Sequence, residues 1–307
     1  MEKLAVAPSA RAGLARETGF LCLSWSRLRK SQKSEILRQM SDYVHGYSER
    51  EHRRLHDQSQ TLADLLHHDT LYPAGSRVLE AGCGVGAQTV HLARNNPRTH
   101  FTSVDISPAS VKAARLALDR AGLGNVTFQT ADLFHLPFAE ARFDHVFVCF
   151  VLEHLKNPGE ALQQLKAALK PGGTLTVIEG DHGSTFFHPR SEAAWRTIQC
   201  LIDLQAALGG NALIGRELYP LLRAAGFAQV SVSPRFVYVD SSRPAWVEGF
   251  TRNTYIAMVE GVREQALSAG LTDAAAWEKG MADLKASAGA EGTFCYTFFK
   301  AVATKAS

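Results

Sequence analysis

The sequence predicts an open, doubly wound α/β protein built on a mostly parallel, seven-stranded sheet. Three observations carry this reading. Short apolar runs alternate with helical periodicity from Arg77 to Glu179. A glycine-rich stretch, Gly82–Gly86, joins the first apolar run to a helix. Asp105 and Asp132 then stand at the ends of the next two runs, where the strands of such a sheet present their ligand-binding edge.

The elements follow in order. Residues 48–69 read as an amphipathic helix, with Leu55, Leu62, Leu65 and Leu66 on one face, broken by Pro73-Ala-Gly75. Strand 77–81 leads into helix 89–95 and strand 99–105. Helix 108–121 opens at Ser107, a hydroxyl residue suited to capping free N–H groups. Strand 125–130 follows. Strand 143–150 is almost wholly apolar, as a strand covered on both faces must be. Helix 158–169 stops at Pro171-Gly172-Gly173, and strand 174–179 completes the alternation. After Gly180 the rhythm changes. We expect a loop over 181–190, helices over 191–208 and 215–225 (the latter closed by Gly226), a strand over 228–239, a mostly helical stretch over 241–288 and a last strand over 293–304. The implied organisation is an N-terminal extension and lid segment (1–47), a ligand-binding core (48–180), and cap helices with the last two strands (181–307).

Composition narrows the function. A net charge of +3 without a Lys/Arg block argues against a nucleic-acid partner. No apolar run is long enough to insert across a bilayer. Five scattered cysteines without a C-x-x-C pair suggest neither a disulfide framework nor a metal site, and fit a reducing cytoplasm. His67 and His68 read as solvated rather than metal-binding. More than half of the aromatic residues lie after Gly180, which leans toward an apolar or aromatic ligand, although core packing also explains them. A homo-oligomer stays open.

The motif Glu80-Ala-Gly82-Cys-Gly84-Val-Gly86 lets backbone turn sharply and a ligand approach without a Cβ in the way. Asp105 suits a ribose diol and Asp132 an amino group of a base. With Val151-Leu-Glu153-His154-Leu155 and Leu169-Lys-Pro171-Gly172-Gly173, this order resembles the class I, Rossmann-like S-adenosylmethionine (SAM)-dependent methyltransferases. It is similar to the quinone, sterol and natural-product C-methyltransferase group. The resemblance covers about 77–180. It implies SAM as co-substrate, with Glu80, Gly82, Gly84, Gly86 and Cys149 at its methionine part and Asp105 at the ribose. It implies Ala131, Asp132 and Leu133 at the adenine, with Ile106 packed on the ring; simple core packing is the other reading of Ile106 and Leu133. Tyr47 would close over the cofactor from the N-terminal segment, or merely dock the first helix. Ala87 also satisfies a dinucleotide fingerprint, but the resemblance gives Asp132 and the Leu169–Gly173 segment no place in a nicotinamide site.

For chemistry, His182 and Asp181 follow the fifth strand and His154 the fourth, so each is a candidate to accept a proton from the acceptor. A hydrogen-bonded turn is the alternative for His182 and Asp181, and a helix start for His154. The expected protein is a SAM-dependent methyltransferase acting at carbon or oxygen of a small apolar, aromatic or isoprenoid acceptor, leaving S-adenosylhomocysteine. The alternative is a non-catalytic SAM-binding partner or regulatory protein on the same fold.

Overall fold

The computed structural model describes residues 49–307. It opens with helix α1 (Glu49–His67), then β1 (Arg77–Ala81), α2 (Ala87–Asn95), β2 (His100–Asp105), α3 (Pro108–Ala121), β3 (Val126–Thr130) and β4 (Phe143–Cys149). A single 3-10 turn, Leu152–His154, precedes α4 (Pro158–Ala168) and β5 (Leu169–His188). Then come α5 (Glu192–Ala207), α6 (Leu218–Ala224), β6 (Ala228–Asp240), a π-helical segment (Val247–Ile256), α7 (Ala274–Ala286) and β7 (Thr293–Thr304).

The seven strands form one sheet in the order β3-β2-β1-β4-β5-β7-β6. The first five are parallel, and β7 runs antiparallel between β5 and β6. Because side chains alternate across a strand, neighbours in β1 and β4 serve opposite cores. Val78 and Phe147 face a layer that includes Leu62 and Leu66 of α1 and Ile198 and Leu201 of α5. Leu79, Val146 and Val148 face Leu162 and Leu165 of α4 and Leu218 and Leu222 of α6. Both faces are therefore covered, which explains the unbroken apolar runs.

Local signals act where the sequence put them. Ser107 Oγ accepts from the Ser110 N–H (3.2 Å) at the start of α3, with Pro108 in the first turn. Gly122 closes α3 in the left-handed region.

Two expectations need correction. The segment 181–190 is not simply a loop: β5 continues to His188, paired with β7 as far as Thr293. The pairing slips between Asp181 and Phe186, where β5 carries extra residues that bulge out. The continuation exists because β7 supplies a partner from far along the chain, which a local reading of β5 lacks. His67 is also not solvated. It is fully buried at the end of α1, its Nε2 2.7 Å from Gln88 Oε1, against Phe147 and parallel to His91. Among the described residues no cluster of three or more metal-ligating side chains occurs, and no helix is long and apolar enough to cross a membrane.

Burial lowers the pKa of His67 from 6.5 to about 4. Its folded value lies below its unfolded value, so the unfolded chain takes up the proton first. Stability should fall as pH drops from about 7 toward 4, by up to roughly 3 kcal/mol from this one ring. We expect His67→Gln to flatten that dependence in urea unfolding measured at pH 7.5 and 4.5. An unchanged slope would remove His67 as its source.

Candidate active site

The turn after β1 is set by backbone donors: Gly82 and Cys83 N–H both bond to Val104 O (2.8 and 2.9 Å), which folds the chain back over the end of β2. Two of its glycines are required for different reasons. Gly86 has φ +80°, and a Cβ there would lie 2.9 Å from Ala114 of α3, so helix packing forbids a side chain. Gly84 has φ +52°, and a Cβ there would meet nothing within 4 Å, so its open side faces a crevice.

The acidic residues line up along that crevice. Asp105, at the end of β2, accepts from the Gly84 N–H through Oδ2 and the Ser107 N–H through Oδ1, both at 2.9 Å. The carboxylate thus ties the glycine turn to the start of α3. Ile106 beside it is exposed, with 65% of its surface open. Ala131 N–H bonds to Asp105 O (3.0 Å), bringing the end of β3 alongside. Asp132 accepts from Phe134 N–H and contacts His135 Nδ1, both at 2.9 Å, and this histidine keeps its pKa below the usual carboxylate range. Leu133 and Cys149 are buried. Glu80 is also buried; Ser103 Oγ donates to it at 2.6 Å, and burial pushes its pKa up to about 7. Tyr47 lies outside the described residues.

A second space, a cavity partly open to solvent, adjoins the end of β4. Its floor is Phe150, the residue after β4, with Glu153 and His154 of the 3-10 turn. Phe150 sits at φ +57°, a left-handed conformation that is costly for a bulky side chain. Glu179 holds the turn: its Oε1 accepts from Val151 N–H (3.0 Å) and Leu152 N–H (2.8 Å). Its carboxyl is fully buried, and burial with Glu153 nearby drives its pKa well up. Val151, just before the 3-10 turn, in turn packs on Gly82 and so ties the glycine turn to the segment that carries Glu153 and His154.

The other walls come from distant elements. α1 contributes Arg54, Leu55 and Gln58. The π-helical segment contributes Phe250, Thr254 and Tyr255, and Gly249 lets it press against Thr61 of α1. From β7 come Tyr296 and Phe298, whose rings pack tilted or edge-on among Phe150 and Phe250 with centroids 4.7–5.9 Å apart. The lining is therefore aromatic on one side and polar on the other, rather than largely apolar.

The three candidate bases fare differently. His182 reaches the cavity from the β5 bulge, 5% exposed, with Nδ1 2.7 Å from Tyr296 Oη and its ring edge-on to Tyr255. Burial lowers its pKa, against the pull of Glu153 and Asp181. Asp181 does not line the cavity. Its buried carboxylate takes both Nε and Nη2 of Arg216 at 2.8 Å and the Gly183 N–H at 3.1 Å. It locks the bulge rather than facing an acceptor. His154 lines the rim, with Nε2 3.6 Å from Glu153 Oε1.

Residues 79–177 match the family model described as a methyltransferase domain. The stretch from β1 into β5 is thus similar to a methyltransferase domain. Among curated relatives, 27-O-demethylrifamycin SV methyltransferase of Amycolatopsis mediterranei is 29% identical, covering 73% of this chain and 76% of that one. The ubiquinone/menaquinone biosynthesis C-methyltransferase UbiE of Pseudomonas putida is 36% identical, over 34% of this chain and 42% of that one. The first relatives in sequence are spanned over 58%, 35% and 76% of their length. In structure, a putative methyltransferase from Bacillus halodurans superposes with a TM-score of 0.52 at 18% identity, covering 80% of this chain and 99% of that one, which supports the fold.

Arg54, Gln58, Tyr296 and Phe298 were not singled out by the sequence. Tyr296 and Phe298 are two apart and so share a strand face, but nothing local says which face meets a cavity. We expect Gly86→Ala to destabilise the protein by a few kcal/mol, roughly 1–2 from the left-handed backbone and 1–3 from overlap with Ala114. Gly84→Ala should show only the backbone part. Urea midpoints of the two variants check this; equal losses would contradict the packing role of Gly86.

Proposed function

We propose that this chain transfers the methyl group of SAM to an oxygen of a small hydroxylated molecule held in the cavity beyond β4, with His182 accepting the proton. One observation carries the reading. His182 is a buried imidazole in the cavity wall, its Nδ1 engaged by Tyr296, and among the described residues its Nε2 has no protein partner. The rifamycin relative, named for 27-O-demethylrifamycin SV, favours oxygen over carbon.

The crevice fits SAM. Gly84 leaves a cradle that a Cβ would fill, and carboxylates stand at successive strand ends beside exposed Ile106. In this reading Asp105 holds the ribose hydroxyls and Asp132 the adenine amino group, next to Ala131 and between Ile106 and Leu133. Glu80, the Gly82–Gly86 turn and Cys149 hold the methionine part. SAM supplies a methyl group that is already electrophilic on its sulfonium, so the protein need not activate it.

The chain's own residues then have three tasks. The aromatic wall of Phe150, Phe250 and Phe298 seats an apolar body and excludes water. Thr185 Oγ1, 2.7 Å from Tyr255 Oη, fixes the Tyr255 ring that packs on His182. His182 takes the hydroxyl proton as the oxygen becomes nucleophilic. Because burial lowers its pKa from 6.5, the ring is neutral and able to accept a proton at pH 7. Asp181 acts through Arg216 to hold the bulge, and His154 orients the rim.

Incubating the purified chain with methyl-labelled SAM and a panel of phenols, naphthols and macrocyclic alcohols tests the activity. S-adenosylhomocysteine and a labelled methyl ether are expected; SAM binding without turnover on any member would favour the non-catalytic alternative. His182→Ala should lower kcat by about 10²–10⁴-fold with SAM affinity unchanged. The wild-type rate should hold down to below pH 6.5 and fall only as the lowered pKa of His182 is crossed. Asp105→Ala should weaken SAM binding by about 1–3 kcal/mol in calorimetry. Undiminished affinity would take Asp105 out of the ribose site.

A further inference from the structure

Tyr296 is fully wrapped. It stands on β7 opposite the β5 bulge, in the gap between the pairs Asp181↔Thr297 and Phe186↔Cys295, so no β5 residue sits across from it. Its ring is packed by Phe250, Tyr255 and Phe298. Its hydroxyl reaches His182 Nδ1 at 2.7 Å. The fold has made room for that hydroxyl: a Cβ on Gly180 would lie 2.3 Å from Tyr296 Oη. The bulge is held from the other side as well, by the His182 N–H to Ala212 O bond (2.9 Å) and the Asp181–Arg216 pair. Nδ1 and the hydroxyl are thus clamped together by separate strands, and Gly180 is the space that permits it.

A neutral imidazole carries one hydrogen, on one of its two nitrogens. For His182 to accept a proton from the cavity, Nε2 must be bare, and the hydrogen must sit on Nδ1. Among the described residues the side-chain group that Nδ1 meets is Tyr296 Oη. We propose that Tyr296 is the positioning residue of this site: its oxygen accepts from His182 Nδ1–H, fixes the Nδ1–H tautomer and aims Nε2 at the acceptor hydroxyl. The acceptor O–H bond breaks, its proton moves to Nε2 and its electron pair stays on the oxygen. The resulting imidazolium keeps its Nδ1–H bond to the tyrosine oxygen, and the proton leaves to solvent with the product. Burial keeps the Tyr296 hydroxyl protonated, so the partner is a neutral phenol and not a second charge. This rests on the role given to His182 above.

Tautomer and titration of His182 are read directly, without an acceptor, by NMR of the full-length chain carrying ¹⁵N-histidine. The expected wild-type signal is a protonated Nδ1 and an unprotonated Nε2 at pH 8. In Tyr296→Phe the ring should become a mixture of tautomers, and its titration should move to lower pH, since the bond that favours the imidazolium is lost. Arg54, Glu153, His154, Asp181 and Tyr255 all remain around the ring in that variant, so the shift reports the hydroxyl. Gly180→Ala, which keeps the phenol but crowds it away from Nδ1, should give the same mixture. A protonated Nε2 in the wild type, or an unchanged tautomer in Tyr296→Phe, would overturn the assignment. Turnover separates this from the reading beneath it. With the panel member that is methylated, Tyr296→Phe should lose about 10-fold or more in kcat with KM little changed, and no further loss should appear when it is added to His182→Ala. If His182→Ala itself keeps the wild-type rate, the base assignment fails and Tyr296 falls with it. If His182→Ala is impaired and Tyr296→Phe is not, the Tyr296 role alone fails.

Discussion

Beyond Ile178, where its pairing with β4 ends, β5 keeps β7 as its strand partner, and that antiparallel pairing carries it on to His188. The candidate site depends on this extension. The parallel strands stop at a common edge, where the glycine turn, Asp105 and Asp132 lie. β5 and β7 rise past that edge, with β6 paired along the far side of β7, as a three-stranded wall. The mismatch in their register throws out the bulge that turns His182 from the ladder toward the cavity and leaves Tyr296 facing it. A bulge is a common means of re-aiming a side chain at an active site. Here it is locked by the buried carboxylate of Asp181, which takes two hydrogen bonds from the exposed guanidinium of Arg216.

The architecture costs stability at several points. Phe150 occupies a left-handed backbone conformation, and Glu179, fully buried, is held by two backbone N–H groups of the turn it caps. His182 and His67 are buried as neutral rings. The apolar layers on both faces of the sheet supply the stability that permits these groups to stay where they are. At the cavity the outcome is a preorganised polar edge against an aromatic wall, a combination that orients a ligand by a few hydrogen bonds and holds it by area.

Much of this was legible in the sequence because it is local. The strand–helix alternation, Ser107 as a cap, Gly226 closing its helix and the placing of Asp105 and Asp132 at strand ends all follow from neighbouring residues. What was not legible depends on partners distant in the chain. β5 reads as a short strand because nothing near it announces β7. His67 looks like the solvated end of an amphipathic helix until α2 brings Gln88 to it. Asp181 and His182 are adjacent and look equivalent as bases; only the position of Arg216 and the cavity separates them. Tyr296 is one aromatic among several on β7, distinguished by the space that Gly180 leaves.

In the proposed function the two spaces, joined through the contact of Val151 with Gly82, serve one reaction, the crevice holding SAM and the cavity its acceptor. A crystal structure of the chain with S-adenosylhomocysteine tests it most directly. The ribose is expected on Asp105, the adenine beside Asp132, and the sulfur turned toward the cavity on the side of His182. Ligand seated away from the Gly82–Gly86 turn, or with its sulfur facing away from the cavity, would contradict it.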